Sequence, residues 1–521
     1  MKFLKFFSPL VLGCVFFASC NTNVSTADKL SLIPADASVV YEVNGNEIFA
    51  KSGLNSPDNY NFLNFIKLMD SDSFKFLESL FKGSKDAGVS ADKILIYVSK
   101  LPDYAIYASI LDRKIFEDWL KKSKSPDPVD EGDFRYISIG GDFNIAWNDE
   151  LAVISGTSIR EKLAELFKPK KDGLLATNDD FKQYTSKKSD VGLWLRYDFF
   201  ADLYDNMGLS GLTSSLIREE YANITTHSYL NFDNGKITGT ISMSPAQEVA
   251  KLKEKLPLLK KSFDKKIFKD MPEQSYLAFN AFINVEEYVK LIRQSIEGLA
   301  EKSTNFEFDE LINDRRQEIA DLFESPELKI IAGALEGDLL MSIHGFNSGM
   351  ISYPLASLSF TVKGESAFQN LLNLVPKNFY TQQSGYYSLS VNKTFIPVYF
   401  AYKDNRVFVS NDLDAVKAFV DGSKGKTFAD NPVSAKMADK MLFYVNLDYE
   451  TYPDNLKMLL QNFMGQGYKT FTSIIEIYEN MSFSGDTDYN FEFNLQLKNK
   501  NVNSLKQIFK SLDTTLSPWM R

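Results

Sequence analysis

Glu336 and Asp338 sit two residues apart in Leu335-Glu336-Gly337-Asp338. On a β-strand that spacing places both carboxylates on one face. Paired carboxylates can serve as general acid and base, or hold a cation. A solvated strand face beside a glycine turn is the plainer reading, and the favoured one. The chain has only two histidines, His227 and His344, both in predicted strands. A histidine-based triad would need a nucleophile elbow, and no Gly-x-Ser-x-Gly is present. Gly345-Phe346-Asn347-Ser348-Gly349 misses the spacing. Asp486-x-Asp488-x-Asn490 opens like a calcium loop, but Phe491 stands at the glycine position and Leu497 at the bidentate one. A hairpin turn accounts for it better. Gly425-Lys426-Thr427 ends like a phosphate loop, yet Val420 occupies the first glycine position. No catalytic residue, metal site or cofactor is therefore expected.

The two cysteines, Cys14 and Cys20, point to processing instead of redox chemistry or zinc. Lys2 and Lys5 form a basic n-region and Phe6–Ala18 an apolar h-region, so residues 1–19 are expected to be a secretory signal. The run is too short to span a bilayer. Phe17-Ala18-Ser19-Cys20 resembles the lipobox of bacterial lipoproteins, with Phe17 where Leu or Val is usual. The resemblance implies cleavage before Cys20 and acylation of that residue. The bilayer is then a partner through acylated Cys20, and several acyl chains hold it stably. Cys14 would leave with the signal, so no disulfide is available and the apolar core must carry stability. The formal charge of −10 becomes −12 once Lys2 and Lys5 are removed. So acidic a chain is not expected to bind nucleic acid.

Residues 20–29 are polar and are expected to tether the fold. The strand Ser38–Val43 runs into Asn44, which can cap a helix, with Glu47 placed to close a capping box. The device recurs at Asn284 with Glu287, and strand-then-cap again at Asp198 and Asp448. Asn59–Lys82 and Val285–Phe323 have helical apolar spacing and follow corresponding strands. Strands at Phe134–Ile139, Phe143–Asn148 and Leu151–Ser155 form a meander followed by a helix at Thr157–Phe167. Tyr387–Val391, Phe395–Tyr402 and Arg406–Ser410 repeat it before a helix at Leu413–Val420. Asp233-Asn234-Gly235 is a strong hairpin turn. Short turns between most strands favour antiparallel pairing.

The fold class expected is α+β, with two tandem duplicated units, each a mainly antiparallel sheet with helices packed on one face. The units are expected at 30–259 and 268–517. Residues 260–267 would be the linker, inside Lys251–Lys269, which carries eight lysines against Glu254 and Asp264. A solvated helix and linker is the reading there, ahead of a membrane-facing basic patch. Aromatic residues make up 14% of the chain, which strand propensity and core filling explain better than stacking on sugars.

Leu32–Leu54, LIPADASVVYEVNGNEIFAKSGL, and Leu335–Phe346, LEGDLLMSIHGF, placed after a lipobox, resemble an uncharacterised Bacteroidota lipoprotein family, domain of unknown function 4836. The resemblance implies a cell-envelope address and no known activity, cofactor or catalytic residue. In such bacteria, acidic residues after the lipidated cysteine tend to mark export to the surface. Asn21-Thr22-Asn23-Val24-Ser25 has none. The expectation is an outer-membrane, periplasm-facing, non-enzymatic binding or scaffolding module, with a protein or glycan partner unnamed. Two alternatives stand: a glycan- or peptidoglycan-acting hydrolase using Glu336 and Asp338, and a surface glycan-binding lipoprotein.

Overall fold

The computed structural model describes residues 29–53, 60, 87–99, 103–122, 125–139, 143–206, 224–244, 258–290, 321, 325–347, 353–389, 396–486 and 489–516. Cys20 lies outside them, as does Asn59–Lys82 except Tyr60, and Val285–Phe323 except 285–290 and 321. Helices and strands are mixed, and every strand pairing with an assigned register is antiparallel. The chain divides into two compact units, Met1–Ala246 with Asn494–Arg521, and Gln247–Phe493.

In the first unit, β1 (Val39–Val43) lies between β2 (Val89–Val98) and β8 (Val191–Arg196). Beyond β2 come β3 (Tyr104–Ile110), β7 (Leu151–Gly156), β6 (Phe143–Trp147), β5 (Arg135–Ile139) and β4 (Val129–Asp130). Beyond β8 come β9 (Thr225–Asp233) and β10 (Lys236–Ser244). The hairpin between them turns at Gly235, whose φ is +65°. A Cβ there would meet the Lys500 Cα at 2.5 Å, so only glycine fits.

The second unit repeats this pairing order. β11 (Leu277–Phe282) lies between β12 (Leu335–Phe346) and β18 (Met441–Asn446). Past β12 come β13 (Pro354–Val362), β17 (Arg406–Ser410), β16 (Val398–Lys403), β15 (Tyr387–Leu389) and β14 (Tyr380–Gln382). Past β18 comes β19 (Tyr478–Gly485), then the start of β20 (Asn490–Leu497). β2 and β12 both carry an irregularity, between Ser90 and Leu95 and between Leu335 and Leu339. Each irregularity holds a residue with positive φ, Lys93 at +46° and Gly337 at +102°.

Apolar material covers both faces of each sheet, which corrects the expectation of helices on one face only. Ile94 and Ile96 of β2 pack with Phe116, Trp119 and Leu505, whereas Leu95 and Tyr97 pack with Ile33, Leu166 and Phe181. In the second unit Ala401 and Phe408 face one cluster, and Phe400 and Val407 the other. Ile94-Leu95-Ile96-Tyr97-Val98 is apolar at every position, which is the pattern of a strand buried on both sides.

The unit boundaries also differ from the sequence expectation. Residues 260–267, expected as a linker, hold Phe263 and Ile267 in the second unit's core. Residues 494–516, expected in the second unit, fall in the first. There the Leu497 N–H donates to the Gly235 carbonyl at 2.8 Å, and Asn503 Nδ2 to the Phe232 carbonyl at 2.8 Å. The helix Ser504–Leu516 places Leu505 and Phe509 in the core beside Phe49 and Tyr60.

Three of the four expected caps form. Asn44 Oδ1 accepts from the Glu47 N–H at 3.3 Å, Asn284 from Glu287 at 3.5 Å, and Asp448 from Glu450 at 3.2 Å. The Asn44 capping box does not close, because the Asn44 N–H is spent on the Asp190 carbonyl at 2.8 Å. At Asn284 the N–H goes likewise to the Leu258 carbonyl at 2.8 Å. Asp198 is the first residue of its helix, and its carboxylate binds Arg196 Nε at 2.9 Å.

A Cβ at Gly337 would sit 1.7 Å from the Ile283 carbonyl oxygen. Gly337→Ala is expected to cost about 3 kcal/mol or more. Gly333→Ala, in the exposed last turn of the helix Pro326–Ala334 with nothing within 4 Å, should stabilise by about 0.5–1 kcal/mol. Urea denaturation of both variants checks this, and equal effects would contradict the bulge geometry.

Candidate functional site

The irregularity in β12 decides the fate of the acidic pair. It sets alternation aside, so Glu336 is exposed while Asp338 is 1% exposed. The two carboxylates do not share a face, contrary to the simple strand expectation. Asp338 is also fully engaged. Its Oδ2 accepts from Lys260 Nζ and, at 3.1 Å, from Thr361 Oγ1. Its Oδ1 accepts from the Asp264 N–H at 3.1 Å. Lys260 and Asp264 belong to the segment that precedes β11, so Asp338 fastens that segment to the sheet. A second buried carboxylate, Asp270, accepts from Arg406 Nε at 2.8 Å and Ser359 Oγ at 2.9 Å. Burial pushes Asp270 up to about 6, against the attraction of Arg406.

The histidines lie in different places in the two pairing orders, on β9 and β12. His344 Nε2 is 3.2 Å from Asp412 Oδ2, a contact that lowers the Asp412 carboxyl below its ordinary range. Asp412 also caps the helix Leu413–Asp421 through the Asp414 N–H. His227 Nδ1 is 3.7 Å from Asp180 Oδ1, and burial lowers the imidazole despite that carboxylate. Asp180 accepts from Ser244 Oγ at 2.6 Å and Trp194 Nε1 at 2.9 Å. Serine, histidine and aspartate thus meet here, but the hydroxyl donates to the carboxylate. In a nucleophilic triad it would donate to the imidazole. The group ties the helix Asp179–Thr185 to β8 and β10.

A buried charge closes the expected tether. Lys29 is 2% exposed, and its Nζ donates to the Asp92 carbonyl at 3.3 Å and the Lys93 carbonyl at 3.0 Å. Burial pushes it down to about 8, with Asp92 opposing. Glu42 on β1 is raised by burial, with the Lys93 ammonium 3.8 Å away pulling it down. A lysine so lowered can act as a nucleophile where substrate reaches it. Here the ammonium is covered and committed to two backbone oxygens, so it clamps residues 29–37 over the β2 irregularity. Nothing in Asp28-Lys29-Leu30 signals this, because burial of a lone lysine depends on what folds across it.

Asp486 accepts from the Asn490 N–H at 3.0 Å, as a turn residue does. Among the described residues there is no group of three or more metal-ligating side chains. No described helix is long and apolar enough to cross a membrane.

What these units define is an α+β protein whose described buried charges tie segments to sheets. The chain belongs to the family described as Domain of unknown function (DUF4836), matched over residues 30–505. No curated protein matches it in sequence. Among solved structures it is similar to crystal form I of TP0453, at 12% identity and a TM-score of 0.26, covering 46% of this chain and 87% of that one. For crystal form IV of TP0453 the figures are 13%, 0.28, 44% and 88%. Likeness at that level carries no argument about this chain.

Two outcomes test these roles. Asp338→Ala should cost about 3 kcal/mol by stranding its donors, and Glu336→Gln should stay within about 0.5 kcal/mol. A functional acidic pair would instead show activity loss in both with little loss of stability. For Lys29, the ordinary value of 10.5 falls to about 8 on folding. Between those values the unfolded chain holds the proton and the folded one does not, so folding gains stability as pH rises. Wild-type stability minus that of Lys29→Met should climb across this window by up to about 1.4 kcal/mol per pH unit, and be level below it. A difference curve that is flat or falling there would contradict the burial.

Proposed function

We propose that the protein is a lipid-anchored cell-envelope lipoprotein and a non-enzymatic binding or scaffolding module. The observation that carries the address is the leader itself, with basic Lys2 and Lys5, the apolar run Phe6–Ala18 and Ala18-Ser19-Cys20. Acylated Cys20 inserts into the bilayer, and the unacidic Asn21–Ser25 favours a periplasm-facing outer-membrane anchor. The non-enzymatic reading is supported by Asp338, Asp180 and Lys29, whose polar atoms are consumed by bonds that hold segments in place. We further propose that the two units arose by duplication, which the matching pairing orders and matching β2 and β12 irregularities support.

The hydrolase alternative loses its geometric basis once Glu336 and Asp338 face apart. Surface glycan capture needs exposed aromatic platforms. Trp119, Trp147 and Trp194 are buried, and the exposed large aromatics among the described residues are Tyr288, Phe379, Phe463 and Phe483. A protein or glycan partner in the envelope remains the natural object of a cross-linking pull-down from intact envelopes.

Cys20→Ser should abolish membrane fractionation and labelled-palmitate incorporation while leaving a soluble, folded product. Label in the Cys20→Ser protein would place the lipid elsewhere and remove this reading of the leader.

A further inference from the structure

Four tyrosines of the second unit form a run of neighbouring rings. Tyr276 precedes β11 and is buried, Tyr449 and Tyr452 follow β18, and Tyr468 opens the helix Tyr468–Ile475. Ring centroids are 5.7 Å apart from Tyr276 to Tyr452, 5.7 Å from Tyr452 to Tyr449, and 6.4 Å from Tyr449 to Tyr468. Their hydroxyls are committed differently. The Tyr276 hydroxyl donates to the Thr451 carbonyl at 3.2 Å, and the Tyr452 hydroxyl to the Asn446 carbonyl at 2.8 Å. The Tyr449 and Tyr468 hydroxyls bond to each other. Bonded hydroxyls with centroids only 6.4 Å apart bring together the ring edges that flank the two oxygens.

Solvent reaches this pair, since Tyr449 and Tyr468 are only half-buried. The stacked pairs Tyr97–Tyr107 and Tyr184–Tyr229 of the first unit are, by contrast, buried in its core. The chain beside Tyr468 also has room to yield. The turn Gly465-Gln466-Gly467 leads directly into it, and a Cβ on Gly465 or Gly467 would touch nothing within 4 Å. Lys457 Nζ lies 5.4 Å from the centroid of the Tyr449 ring. A cation there is attracted to the ring electrons and makes Tyr449 the harder of the two to oxidise. Burial pushes Tyr449 up to about 12, so it keeps its proton at neutral pH. The first electron therefore leaves from Tyr468.

We propose that Tyr449 and Tyr468 are a site of oxidative modification, joined as an intramolecular dityrosine by a one-electron oxidant of the haem peroxidase class acting with hydrogen peroxide. Each phenol gives up one electron and its hydroxyl proton. The two radicals combine through the ring carbons beside the oxygens. The hydrogens on those two carbons then move to the oxygens and restore both phenols. Peroxide takes up the two electrons and two protons and leaves as two waters. The new carbon–carbon bond ties the helix Tyr468–Ile475 to the turn Tyr449–Thr451 that follows β18. It closes a loop in the unfolded chain, so it stabilises the fold as a disulfide does. The inference needs neither the lipid anchor nor a binding partner.

The test is oxidation of the purified protein, kept dilute, with a haem peroxidase and limiting hydrogen peroxide, read by mass spectrometry of tryptic peptides. Cleavage after Lys440, Lys457 and Lys469 places Tyr449 in peptide 441–457 and Tyr468 in peptide 458–469. The expected product is these two peptides linked, lighter than their sum by two hydrogens, with dityrosine fluorescence. The linked fraction should unfold at a higher urea concentration than the untreated protein. Tyr449→Phe and Tyr468→Phe should each abolish the linked pair, whereas Tyr452→Phe should leave it. Circular dichroism of the unoxidised variants separates loss of a hydroxyl from loss of the fold. Absence of the linked pair from the oxidised wild type overturns the proposal, as does its persistence in Tyr468→Phe. Fragmentation that places the bond on Tyr444 or Tyr452, the other tyrosines of peptide 441–457, also overturns it. So does a link found only between chains when isotope-labelled and unlabelled protein are mixed before oxidation.

Discussion

The placement of each unit's first strand at the centre of its sheet constrains everything else. β1 accepts β2 on one edge and β8 on the other, with Val39 opposite both Val98 and Leu195. β11 is held the same way, Leu277 lying opposite Ile343 and Val445. A central strand has no free edge, so both neighbours must arrive in register before its backbone groups are satisfied. Those neighbours come from far along the chain, and the loop-closure cost is met only as the sheet assembles. Central position also means burial on two faces. This explains why segments on both sides of the sheet, and not one helical layer, are needed to finish each unit.

Burial on both faces leaves charged groups in dry surroundings, and each is answered locally. Asp338 meets Lys260 and Thr361, Asp270 meets Arg406 and Ser359, and Asp190 meets Lys51 at 2.7 Å. Such pairs add little net stability over an apolar replacement, yet removing one partner is costly. Their effect is positional. Asp338 fixes residues 258–264 onto β12, and Asp190 fixes the helix Gly45–Ser52 at the start of β8. Lys29 does the same for the segment before β1 using backbone oxygens alone. The perturbed pKa values in this protein therefore follow from fastening a cover to a sheet. Perturbation by itself is a poor guide to a reactive site when the group is saturated and closed to substrate.

Among the described residues the buried charges are saturated by the segments they hold, and the large apolar side chain most open to water is Phe463 on the helix Asp454–Met464.

Much of the local structure was legible in the sequence because it rests on interactions only a few residues long. Asn44, Asn284 and Asp448 cap helices with their own side chains. Asn234-Gly235 and Asp404-Asn405 turn hairpins, the latter with φ of +49° and +62°. The meanders follow from short turns between apolar strands. Four features needed the tertiary structure. Glu336 and Asp338 part because Gly337 bulges toward the Ile283 carbonyl, and alternation counts residues without knowing where a strand slips. The capping box at Asn44 stays open because the distant Asp190 takes its N–H. Lys29 is buried because residues 29–37 fold over β2, which no neighbouring residue announces. Residues 494–516 fall in the first unit because Gly235, Phe232 and Phe49 supply their partners, more than 230 positions upstream by the shortest of these separations. Each depends on a contact between distant segments, and sequence periodicity reports only which face a residue prefers, not what comes to cover it.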